Sequence, residues 1–157
     1  MALLKYDLIV IGAGSGLDVA DGAVSQYGWK VAIVEKGPLG GTCLNRGCIP
    51  SKIIIHTADV IEVIRNARKF GIHAKIEDID FAKVTNRATY HIDKEAREIE
   101  DAVQKEKKID LYKTDAEFIR EKTLRVGEEE IFGERILIAG GARPLIPPIK
   151  GLDSVNY

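Results

Sequence analysis

The sequence predicts an α/β fold with a parallel sheet, two long helices after a cysteine-bearing loop, and an antiparallel β-meander toward the C-terminus. Three observations carry that prediction. Residues 6–11 (Tyr-Asp-Leu-Ile-Val-Ile) and 30–34 (Lys-Val-Ala-Ile-Val) are nearly continuous apolar runs, the pattern of strands buried on both faces. Between them Leu17, Ala20, Ala23, Val24 and Tyr27 recur at helical spacing, and Gly28 is placed to cap the C-terminal end. From Ile109 onward the apolar period changes from helical to two, as antiparallel strands require.

The first two runs and their helix make a βαβ unit of about thirty residues, the size of a mononucleotide-binding half. After the cysteine loop, residues 51–70 carry apolar side chains at 53, 54, 55, 58, 60, 61, 64 and 67, and Gly71 follows. A long, largely buried helix is expected there. An extended link over 72–79 leads to Asp80, an N-cap for a second long helix. Phe81, Val84, Ala88, Ile92, Ala96, Ile99 and Val103 share one side of that helix, and its charged side faces water. Residues 110–119, 123–126 and 130–138 read as the strands of the meander, separated by turns at 120–122 and Gly127. Ile136 to Ala139 is again wholly apolar, and Pro144, Pro147 and Pro148 suit an extended segment leaving the domain.

With 157 residues the chain suffices for one domain with its own core. Its 23 basic and 24 acidic side chains nearly cancel and no basic face stands out, which argues against nucleic acid and anionic membranes as partners. No apolar run approaches the ~20 residues of a membrane span, nor the form of a secretory signal. A cytoplasmic location is expected, and there a persisting disulfide is catalytic or redox-sensing rather than structural.

Gly12-Ala13-Gly14-Ser15-Gly16-Leu17 lies between the first strand and the first helix. In that setting Gly12 makes a tight turn, Gly14 admits a pyrophosphate to the backbone, and the helix N-terminus supplies N–H donors. The strict dinucleotide pattern has glycine where Leu17 stands; Gly16 beside it relieves crowding between helix and strand. Glu35 ends the second strand about 20 residues further on, where an acid accepts hydrogen bonds from a ribose.

Cys43 and Cys48 are the only two cysteines and lie in Gly40-Gly-Thr-Cys-Leu-Asn-Arg-Gly-Cys-Ile-Pro-Ser-Lys52. Along a regular helix, residues five apart are separated by about 7.5 Å, beyond the roughly 4.4–6.8 Å of disulfide Cα pairs. They can pair only if the chain bends between them. Gly47 permits an unusual backbone there, and Pro50 suits the first turn of a following helix, whose N–H groups and dipole stabilise a thiolate. Zinc needs four ligands and finds no matching pattern; His56, His73 and His91 lack partners for it. Inert buried thiols leave Gly40, Gly41 and Gly47 unexplained. A redox pair accounts for both. Lys52, one helical turn on, is placed to stabilise negative charge on a thiolate or reduced cofactor.

The stretch from Gly40 to Lys52 resembles the active-site signature of the pyridine nucleotide-disulfide oxidoreductase family, and the chain is most similar to the N-terminal, flavin-binding part of dihydrolipoamide dehydrogenase. Asp110-Leu-Tyr-Lys-Thr-Asp-Ala-Glu-Phe118 resembles the family's adenine-contacting segment, with Thr114 in place of a usual glycine. Ile136-Leu-Ile-Ala-Gly-Gly-Ala-Arg-Pro144 resembles its Ala-Thr-Gly strand and exit loop, with Gly140 in place of threonine. The resemblance implies a Rossmann-like FAD-binding domain over residues 1–143 and a linker over 144–157 toward an NAD(P)-binding domain absent from the chain. It implies FAD with its pyrophosphate over Gly12, Gly14, Ser15 and Gly16, its ribose on Glu35, its adenine against Ala116, and its ring near Thr42, Cys48 and Lys52. Lys36, Gly41, Ala139, Gly140 and Gly141 complete that set. Cys48 faces the flavin and Cys43 exchanges with a small-molecule or protein-bound disulfide or dithiol. The family commonly has a small apolar residue where Arg46 stands. The family is homodimeric, and its NAD(P)H site and catalytic histidine lie in parts the chain lacks. The alternatives are the same part of a mercuric or mycothione reductase, or a free-standing flavin-binding or thiol-sensing module without turnover.

Overall fold

The computed structural model describes residues 3–155; residues 1–2 of the expected domain and 156–157 of the expected linker lie outside the described residues. In chain order the elements are β1 (Leu4–Ile11), α1 (Gly16–Tyr27), β2 (Val31–Val34), α2 (Gly41–Arg46), α3 (Cys48–Asn66), α4 (Phe81–Lys105), β3 (Ile109–Tyr112), β4 (Ala116–Arg120), β5 (Thr123–Val126) and β6 (Glu129–Ile138). Short 3₁₀ turns cover Ala67–Phe70 and Leu152–Ser154.

All six strands form one sheet in the order β3-β2-β1-β6-β5-β4. The α/β class expected from the sequence is borne out. β1 runs parallel to β2 and β6, and β2 parallel to β3, while β4, β5 and β6 make the antiparallel meander. β6 serves both halves: it pairs with β5 through Phe132↔Thr123 and with β1 as far as Ile138↔Ile11.

Every side chain of β2 is buried, because both faces of the sheet are covered. Val31 and Ile33 join Leu8, Val10, Ala20 and Ala23 in a cluster flanked by Leu17 of α1 and Ile99 and Val103 of α4. Ala32 and Val34 join Tyr6, Ile9 and Leu124, Val126 and Ile131 of the meander. In that second cluster the Tyr6 hydroxyl donates to Asp110 Oδ2 at 2.7 Å and shares a 2.7 Å hydrogen bond with Tyr112. Burial, more than either partner, holds the Tyr6 phenol protonated well above its ordinary range. Helix ends follow their sequence signals: Gly28 adopts φ 64° and donates to Ala23 O and Val24 O, and Asp80 caps α4 by accepting from Lys83 N.

Three expectations need correction. Residues 110–119 are two strands. β3 belongs to the parallel part of the sheet, and only β4 enters the meander. The polar run Lys113-Thr114-Asp115 marks the break, where Lys113 Nζ reaches across to Gly37 O at 2.7 Å, but spacing does not say which half of the sheet β3 joins. Helix α3 is not largely buried: none of its residues is buried, and Ile55, Val60 and Val63 are exposed. Its apolar residues spread around the helix, and α4, joined through Arg87 to Ile53 O and Thr57 Oγ1, covers only part of them. Within the apolar run 136–139, Ile138 is likewise exposed.

Candidate functional site

The expected glycine turn lies at the carboxyl ends of β1, β2 and β6, where open parallel sheets receive nucleotides. Gly12 has φ +104°, and a Cβ there would collide with the Ala139 carbonyl, whose carbon lies 2.7 Å from that position. Gly12 N donates to Val34 O and Ala139 N to Ile11 O, so the turn is locked between both neighbouring strands. Gly41 (φ +64°) packs backbone to backbone on Gly14, with Gly14 Cα 2.6 Å from where a Gly41 Cβ would stand, and Gly40 N donates to Ala13 O at 2.8 Å. Gly16 does what the strict pattern's third glycine does: a Cβ on it would stand 2.6 Å from Val10 Cγ1. Leu17 can therefore replace that glycine and pack into the core.

Among the described residues, the N–H groups of Gly14 and Ser15 have no protein acceptor at the start of α1. That donor set matches an anionic phosphate, and on this ground the residues fit a dinucleotide. Glu35 lies directly beyond β2. Its Oε2 accepts from Ala13 N at 3.0 Å and its Oε1 from Gly37 N at 2.7 Å, which leaves a lone pair on each oxygen for a diol. The neighbouring Lys36 is ion-paired to Asp115 at 2.8 Å. That contact, with the Lys113 bridge to Gly37 O and Glu100, ties the segment before β4 to the loop after β2.

Cys43 lies within α2 and Cys48 opens α3, with Gly47 (φ −131°, ψ −105°) breaking the chain between the two helices. A Cβ on Gly47 would stand 3.0 Å from Thr42 O. The bend that pairing requires is thus built at Gly47. Both thiols are free and exposed. The neighbouring Cys48 thiol pushes the Cys43 thiol pKa upward, opposed by the Cys48 backbone N–H and by the Lys52 charge. Cys43 and Cys48 come together with Thr42 and Lys52 around them, and Gly41 ties this group to the glycine turn.

Gly140 and Gly141 extend past the end of β6 into the open, with no atom within 4 Å of where a side chain would begin. Among the described residues no group of three or more His, Cys, Asp or Glu side chains is placed to hold a metal ion. Sequence reasoning gave no role to Asn45. Its amide nitrogen donates to Leu39 O at 3.0 Å and Gly41 O at 2.9 Å, with a longer contact to Pro38 O, and so clamps the entry to α2. An amide flanked by a glycine-rich loop was the available signal.

Residues 6–157 match the family model described as pyridine nucleotide-disulphide oxidoreductase. Among curated proteins, mycothione reductase of Mycobacterium tuberculosis is 38% identical over 97% of this chain and 34% of its own length. Mercuric reductase of Staphylococcus aureus is 34% identical over 97% of the chain and 28% of its own length. Dihydrolipoyl dehydrogenase of Bacillus subtilis is 35% identical over 95% of the chain and 34% of its own length. Among solved structures, the HOCl-induced flavoprotein disulfide reductase RclA from Escherichia coli superposes with a TM-score of 0.76 at 31% identity, over 94% of this chain and 31% of RclA. A Cu(II) complex of RclA matches at 0.73. The chain spans about a third of the length of these relatives.

Proposed function

The chain belongs to the pyridine nucleotide-disulphide oxidoreductase family, and we propose that it forms the FAD-binding, dithiol-bearing part of a disulfide oxidoreductase that works in the cytoplasm. The observation that carries this reading is the pair of free, exposed thiols on either side of the α2–α3 break, joined through Gly41 to the turn at Gly12 and Gly14. In this reading residues 1–143 bind FAD and 144–157 lead out of the domain. Gly14, Ser15 and Gly16 bind the pyrophosphate at the start of α1, Glu35 orients the ribose, and Ala116 borders the adenine. Lys36, Gly41, Thr42, Ala139, Gly140 and Gly141 line the remainder.

The chemistry a bound flavin supplies is two-electron exchange with the Cys43–Cys48 pair, the electrons deriving from NAD(P)H bound elsewhere. Cys48, at the N-terminus of α3, faces the cofactor. Cys43 is the thiol open to substrate: as a thiolate it attacks an external disulfide, and Cys48 then resolves the mixed disulfide. Lys52 keeps a positive charge beside both. The assembled enzyme is a homodimer in this reading. Titrating the purified chain against FAD tests it. Saturable quenching of flavin fluorescence at one FAD per chain is expected, weakened by Glu35→Ala; fluorescence unchanged from that of free FAD overturns the reading.

A second reading keeps the site and changes the substrate to a soft metal ion. Two adjacent free thiols favour it, together with similarity to mercuric reductases and to a protein known as a Cu(II) complex. Turnover by the holoenzyme of Hg(II) or Cu(II), but of no disulfide, would select it.

A further inference from the structure

Arg46 is the last residue of α2, three positions beyond Cys43, and residues three apart on a helix are neighbours with Cβ atoms about 5–6 Å apart. Its side chain is exposed, and among the described residues it has no ion pair and no hydrogen-bond acceptor. The adjacent Asn45 turns inward to the carbonyls of Leu39 and Gly41. From residue 36 to residue 58 the sequence holds Lys36, Arg46 and Lys52 and no aspartate or glutamate. Lys36 is committed to Asp115, and the Lys52 charge already acts on Cys43. Arg46 is the cation left over.

We propose that Arg46 is a specificity-determining residue that directs anionic disulfides, those with a carboxylate a few bonds from sulfur, onto the exposed Cys43 thiol. The inference rests on the reading of Cys43 as the exchanging thiol. A guanidinium presents a planar fork that a carboxylate fits, and it acts on the incoming molecule rather than on the thiol. In the exchange, the Cys43 thiolate forms a bond to one substrate sulfur while the substrate S–S bond breaks, and the departing thiolate takes a proton from solvent. The Cys48 thiolate then attacks the Cys43 sulfur and releases the second thiolate. One disulfide is reduced to two thiols as the protein dithiol becomes a disulfide.

The test measures exchange rates of the reduced chain with 5,5′-dithiobis(2-nitrobenzoate), which is dianionic, and with 4,4′-dithiodipyridine, which is neutral, in the wild type, Arg46→Leu, Arg46→Lys and Cys43→Ser. In Arg46→Leu the dianionic-to-neutral rate ratio should fall about three- to tenfold, the scale of one exposed charge pair at close range. High salt should erase that difference, and Arg46→Lys should keep part of the selectivity. An unchanged ratio in Arg46→Leu overturns the proposal, as does a fall that high salt leaves intact. Failure of the underlying reading is distinct: Cys43→Ser would then react with both disulfides as fast as the wild type.

Discussion

Cys43 is exposed, yet its thiol is pushed upward in pKa, chiefly by the neighbouring Cys48 thiol. The protonated form is favoured in the folded dithiol, so the thiolate fraction of Cys43 rises at higher pH than it would without that neighbour. Cys48→Ala removes the largest cause, and the midpoint of the pH profile for alkylation of Cys43 by iodoacetamide should move to lower pH. A midpoint that stays or rises would mean that the neighbouring thiol is not what holds the proton. Gly12 gives a second residue-level prediction. Its φ of +104° and the Ala139 carbonyl facing it leave no place for a methyl group. Left-handed strain and overpacking together should make Gly12→Ala less stable by about 2–4 kcal/mol in urea denaturation. Gly140→Ala, with open space around it, should change stability by less than about 0.5 kcal/mol.

Among the elements, α4 is the one whose start is fixed by a side chain: Asp80 Oδ1 accepts from Lys83 N at 2.9 Å. Asp80→Ala should lower stability by about 1 kcal/mol, measured by thermal unfolding. This cap was legible in the sequence because an aspartate directly precedes a run of helical period. The glycine turn and Glu35 were equally legible, since their signals are local and each has one structural meaning between a strand and a helix. Two features were not. Lys113, Thr114 and Asp115 are three polar residues in a row and interrupt the alternation, but that β3 joins the parallel half is set by pairing with β2, a contact between residues roughly eighty positions apart. The exposure of α3 was hidden for the opposite reason. Ile55, Val60 and Val63 look like core residues in any window of sequence, and whether another element covers them is set by topology rather than by composition.

At the scale of the whole molecule, the candidate site is where separate pieces of the chain meet. The β1–α1 turn, the loop after β2, the entry to α2 and the end of β6 are held together by single backbone contacts: Gly12 N to Val34 O, Gly40 N to Ala13 O, Ala139 N to Ile11 O. A dinucleotide bound across these segments binds only the folded chain and so adds its binding free energy to folding. FAD present at about a hundred times its dissociation constant should therefore stabilise the chain by about 2.7 kcal/mol, seen as a rise in Tm that grows with FAD concentration. Glu35→Ala keeps the backbone path of the turn but removes the carboxylate that ties Ala13 N to Gly37 N. It should lower Tm without ligand and also flatten the dependence on FAD. Cys43→Ser, by contrast, should leave that dependence intact if, as proposed, Cys43 faces the substrate and Cys48 the nucleotide. A Tm independent of FAD in the wild type would show that these segments meet for packing alone.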